Sequence, residues 1–175
     1  MLKNTLNSIS PLDGRYASKL NDLEQYFSEF ALIKNRVLVE INWLIFMSRT
    51  KSLSFIPALS KSKENSLLKV IDNFSIKDAE QIKKIEAKTN HDVKAVEIFI
   101  GKKLESLNLN KYKEFVHLFC TSEDINNLSY SLMLKGYLDS EFKKTNSTLL
   151  KDLKYKSKKW SKLAMLSFTH GQTAS

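Results

Sequence analysis

Thr121, Ser122, Glu123, Asp124, Asn126 and Asn127 crowd two hydroxyls, two carboxylates and two amides into CTSEDINNLSYSLMLK, Cys120 to Lys135, directly ahead of an apolar helical pattern. A second stretch, KTNHDVKAVE, sets Asn90, His91 and Asp92 ahead of an apolar stripe at Val93, Val96, Ile100, Leu104 and Leu107. Small polar side chains at a helix start satisfy the orphan N–H groups of its first turn, and such capping needs no ligand. The same N–H groups and hydroxyls also make an anion site, because the helix dipole favours negative charge there, and a carboxylate would suit it. Both explanations stand for either motif taken alone. His91, between an amide and a carboxylate, and His170, beside Gly171 in THGQ, add groups able to move a proton near neutral pH. His117, on the turn before Cys120, reads instead as packed or hydrogen-bonded locally.

The elements that must hold these groups read as helices. Four Gly and two Pro in 175 residues leave little punctuation, so the expected fold class is all-α. Apolar residues recur from Phe27 to Ile45 near a 3.6 period, as one long helix or two in tandem. Pro57 marks a connection, followed by short helical stretches around Leu67 to Phe74 and Ile76 to Glu86. Thr89-Asn90-His91-Asp92 and Thr121-x-x-Asp124 both have the capping-box pattern, and each predicts a helix behind it. The second of these helices could run past Phe142, and a basic amphipathic pattern continues from Leu149 to Leu163 before the chain turns extended. The break at LNLNKYKEF places a seam near Asn110, dividing the chain into 1–110 and 111–175.

Hydrophobic residues make up 42% of the chain and charged residues 27%, a globular balance. The formal charge of +9 favours anionic partners, although stretches such as KDLKYKSKKWSK read as solvated faces. A single cysteine, Cys120, allows no disulfide within the chain and no multi-cysteine metal site, which points to a reducing compartment. The start of the chain has no continuous apolar run, and VLVEINWLIFM is broken by Glu40 and Asn42. The expectation is a soluble, cytoplasmic protein without a membrane partner.

Taken together and in order, SPLDGRY, KTNHDVKAVE, CTSEDINNLSYSLML and THGQ resemble the adenylosuccinate lyases of the fumarase/aspartase superfamily, bacterial type. The similarity covers essentially the whole chain but only the front of that family's longer members, so the chain reads as an amino-terminal portion, inactive alone. The resemblance implies a small amino-terminal helical domain, then the first long helices of a bundle that in the family joins four subunits. It implies elimination of fumarate from adenylosuccinate to leave AMP, and from the succinyl-carboxamide ribotide, with no cofactor and no metal. It further implies His170 as the acid that protonates the departing nitrogen. Thr121 and Ser122 would bind the succinyl carboxylates, Asn90, His91 and Asp92 would line the substrate site, and Arg15 and Tyr16 would hold the nucleotide, with Arg15 at phosphate.

The chain departs from that pattern in three places. The family's base is a serine on a mobile loop that has no counterpart here, Thr173 stands where Pro is common, and Phe168 stands where Arg is frequent. Three alternatives remain open: another lyase of the superfamily such as an argininosuccinate lyase, against which SPLDGRY with NHD argues; a basic helical module binding nucleic acid through KYKSKKWSK with Tyr155 and Trp160; and a non-catalytic remnant that assembles with other subunits.

Overall fold

Ser28 decides how the first apolar stretch folds. Its backbone is extended (ψ 161°) and its side chain accepts the Ala31 N–H at 3.1 Å, so the run divides into α1 (Asn21–Phe27) and α2 (Glu29–Arg49). A computed structural model of the chain describes residues 5–164 and 166–174, in two compact units, one ending at Gly136 and the other beginning at Tyr137.

In the first unit α2 is the central element, burying Val37, Ile41, Leu44 and Met47 almost completely. Around it pack α3 (Lys61–Asp72), α4 (Ile76–Thr89) and α5 (Asp92–Ser106). Leu67, Ile82, Phe99 and Leu104 complete one contiguous core. Full burial of such a side chain is worth about 1.5–3 kcal/mol, so this cluster supplies the main driving force. Helix α4 starts on a further capping box: the Ser75 hydroxyl accepts the Asp78 N–H, and the Asp78 carboxylate accepts the Ser75 N–H at 3.0 Å.

Asn108, with φ of 57°, ends α5 in the left-handed region, and the following N–H, of Leu109, returns to the Leu104 carbonyl at 2.8 Å. A 3₁₀ helix over Asn110–Phe115 then packs back on α5 and buries Tyr112, whose hydroxyl donates to the Ala58 carbonyl. The seam expected near Asn110 therefore lies inside the first unit. Helix α6 (Ser122–Tyr137) follows, burying Ile125, Ser129 and Met133.

The second unit holds a π-helical turn (Leu138–Phe142), α7 (Lys143–Trp160) and a hairpin of β1 (Ser167–Thr169) and β2 (Gln172–Ala174). The expected helix to Leu163 ends at Trp160, and the Ser161 hydroxyl donates back to the Lys158 carbonyl. The hairpin turns through His170 (φ 50°) and Gly171 (φ 77°), the two successive positive φ values of a type I′ turn. No helix among the described residues is long and apolar enough to cross a membrane.

Candidate functional site

The end of α4 and the start of α5 make one wall of an open cleft. Asn90 closes α4 in the left-handed conformation (φ 52°), a turn that asparagine tolerates, and the chain reverses at once into α5. The cap of α5 is His91 and not Thr89: its Nδ1 accepts the Lys94 N–H at 3.1 Å, while Thr89 is the last residue of α4. A ring nitrogen that accepts carries no proton, so this bond fixes the tautomer with the proton on Nε2 whenever the ring is neutral.

Asp92 opens α5 and is held from behind. Arg36 on α2, almost fully buried, donates to the Asp92 carboxylate at 2.5 Å and through Nε to the Asn126 side chain on α6 at 2.8 Å. Burial pushes the Asp92 carboxyl up, but the Val93 N–H and the Arg36 charge outweigh it and hold the group below the usual carboxylate range.

The facing wall is the start of α6. Ser122 lines the cleft, and its hydroxyl has no hydrogen-bond partner among the described residues. Thr121 is engaged differently. Its N–H and its hydroxyl both donate to the Asp124 carboxylate, at 2.7 and 2.9 Å, and these bonds hold Asp124 below its usual range. That is the carboxylate half of the capping box, and it leaves Thr121 outside the cleft lining.

The cleft has a volume of about 570 Å³ and is lined by Lys83, Glu86, Ala87, Asn90, His91, Asp92 and Ser122. Two motifs about thirty positions apart in the chain thus meet at one opening. Its charges are already paired: Lys83 donates to Glu29 at 2.7 Å and sits 2.9 Å from Glu86, and Arg36 is committed to Asp92. What this chain offers an anion here is therefore a hydroxyl, an amide and an imidazole N–H, with no uncompensated cation among them.

Arg15 and Tyr16 stand apart from the cleft lining. The Arg15 guanidinium lies 5.3 Å from the Tyr16 ring centroid, and Lys19 approaches the same ring at 5.9 Å. His170 is exposed at the hairpin turn of the second unit. Among the described residues no group of three or more His, Cys, Asp or Glu could hold a metal ion.

Three further residues take part. Lys83 and Glu86 lie in an ordinary charged helix face, where nothing sets them apart. Arg36 sits inside an apolar run, which is itself a signal, since a charge that must be buried needs a partner. His117 is packed, but its partner is distant in sequence: its Nδ1 lies 2.6 Å from Oε1 of Glu40 on α2. Cys120 nearby is pushed up to about 11 by burial and by the charges of Glu40 and Asp124, which makes it an unreactive thiol.

A family model described as "Lyase" matches residues 14–175. Adenylosuccinate lyase of Legionella pneumophila (strain Corby) is 42% identical over 99% of this chain, that of Haemophilus influenzae 43% over 100%, and that of Escherichia coli (strain K12) 41% over 97%. The chain spans 38–39% of the length of these relatives.

Proposed function

The chain belongs to this lyase family, and from that premise we propose that it takes part in the adenylosuccinate lyase reaction, the release of fumarate from adenylosuccinate to leave AMP and from the succinyl-carboxamide ribotide. The observation that carries the proposal is the cleft, because Asn90, His91 and Asp92 from one motif and Ser122 from the other share it.

The elimination removes a weakly acidic proton beside a carboxylate, stabilises the doubly negative carboxylate that results, and protonates the departing nitrogen. Ser122, with its hydroxyl unengaged at a helix start, is suited to a substrate carboxylate. Asn90 and His91 add an amide and an Nε2–H from the opposite wall, and Asp92, anchored by Arg36, keeps that wall in place. Thr121 would join Ser122 only by releasing Asp124, so its part is chiefly to set the helix start. His170 is proposed as the acid, and Arg15 with Tyr16 as the nucleotide grip, Arg15 at phosphate.

A dianion needs positive charge that this cleft does not spare, and the base is expected from residues beyond these. The 175 residues alone should therefore bind substrate weakly and not turn it over. We extend the proposal to a cytoplasmic homotetramer in which 1–110 serves as the amino-terminal domain and 111–175 begins the subunit-joining bundle, a division of roles at Asn110 within one compact unit. Half-exposed Leu128 and Leu132 on α6 support a surface of that kind.

The test is kinetic, in a protein of the relatives' full length carrying these residues. His170→Ala should lower the chemical rate by about 10² to 10⁴, as for a lost general acid. Ser122→Ala should also raise the Michaelis constant, with roughly 1.5–3 kcal/mol at stake for a hydrogen bond to a charged group. A Ser122→Ala protein that binds and turns over normally would reduce the motif to the cap that Thr121 and Asp124 make.

A further inference from the structure

Helix α2 is apolar on nearly every side, yet Arg36, Glu40 and Trp43 recur along it at spacings of four and three, which puts them on one face. Each reaches a different piece of the cleft's frame. Arg36 holds Asp92 at the start of α5 and Asn126 in α6. Glu40 Oε1 is hydrogen-bonded to His117 Nδ1 at 2.6 Å, and the Trp43 indole N–H donates to the Leu118 carbonyl at 2.8 Å.

The segment that Glu40 and Trp43 grip delivers Thr121 and Ser122. Its backbone is left-handed at both His117 (φ 63°) and Phe119 (φ 65°), and its own closure is slight: the Cys120 N–H reaches the His117 carbonyl at 3.2 Å and the Leu118 N–H the Phe115 carbonyl at 3.4 Å. Residues other than glycine hold such a conformation only where their surroundings impose it. Glu40 is an expensive way to impose it: the residue is 1% exposed, and its Oε2 has no hydrogen-bond partner. An apolar side chain would fill that place at less cost in stability, so the carboxylate has a use other than packing.

We infer that Arg36, Glu40 and Trp43 are positioning residues, a polar rail on α2 that fixes the start of α5 and the left-handed turn at 117–120 so that His91 and Ser122 face one cleft. The purpose assigned to the rail rests on the proposed function, but the rail itself is tested without any ligand, so failure of the one is distinguishable from failure of the other.

The experiment is amide hydrogen exchange by NMR on the 175-residue chain, comparing Glu40→Leu, Glu40→Gln and Trp43→Phe with the unaltered protein. In Glu40→Leu the Cys120 and Thr121 amides should exchange about tenfold faster while Leu67 and Ile71 in α3 hold their rates, because only the turn has lost its clamp. Glu40→Gln still offers His117 a hydrogen bond and should return those amides to within about threefold of the original rate. Trp43→Phe keeps an aromatic ring and removes only the bond to Leu118, so it should loosen the same two amides by about threefold or more. If Glu40→Leu does not fold, Trp43→Phe decides alone. Acceleration spread evenly over α3 and the turn, unchanged rates at Cys120 and Thr121, or a Gln variant no better than Leu would each overturn the inference.

Discussion

Leu104 and Leu153 both lie on amphipathic helices, yet Leu104 is fully buried in the unit that ends at Gly136 and Leu153 is 53% exposed in the unit that begins at Tyr137. The contrast holds for their surroundings. The first unit closes a core over α2, α3, α4 and α5, whereas α7 has no buried residue along its whole length. Periodicity dictates that both stretches become helices, but burial requires a facing surface, and only the first unit contains one of its own.

The largest expected effect follows from that difference. Residues 1–136 expressed alone should melt in one cooperative transition, while a peptide of 137–175 should give the circular dichroism of a mostly unfolded chain, since isolated helices of this size are marginal in water. A stably helical peptide would erase the distinction. Within the intact chain, Leu104→Ala should cost about 2–5 kcal/mol through the cavity it leaves, against a change within about 0.5 kcal/mol for Leu153→Ala, both read from thermal or denaturant unfolding.

Arg36→Met comes next. It strands the Asp92 carboxylate, but Asp92 is 41% exposed, so the full penalty for breaking a buried pair is reduced by solvent, to about 1–3 kcal/mol. The smallest effect is one of pH. Burial holds the Glu40 carboxyl above its usual range, against the pull of His117 and with the Glu97 charge adding to the rise. The folded chain therefore keeps that proton to higher pH than the unfolded chain does, and stability from this group falls as pH rises from the usual carboxylate value through the raised one. Asp92, held low, acts with the opposite sign: its contribution is present above the usual value and is lost as pH falls through the folded one. Glu40→Gln should remove the first slope and leave the second, measured as unfolding free energy from acid to neutral pH; an unchanged slope would count against the buried carboxyl as its source.

Much of this fold could be read from residue spacing, and the reasons the rest could not are physical. The stripe from Val93 to Leu107 announces α5, and the run before Ile45 announces α2 except for the break at Ser28, whose role is a local hydrogen bond invisible to periodicity. The cleft was half legible. His91 and Ser122 stood out as polar groups at helix starts, but that His91 would itself be the cap, and that Thr121 would be occupied by Asp124, depends on rotamers that no spacing encodes. Glu40 read as a mere interruption of an apolar run. Its meaning emerges only when His117, 77 positions later, is folded against it.

If the two helix starts form one site for a dicarboxylate and are not two separate caps, both must respond to one ligand. Titration of the 175-residue chain with fumarate, followed through the backbone amides by NMR, tests it most directly. Saturable shifts are expected at Ser122 and at His91 together, weak because the cleft's cations are already paired, and lost at both in Ser122→Ala. Shifts confined to the lysines of α7, or none at either helix start, would contradict it.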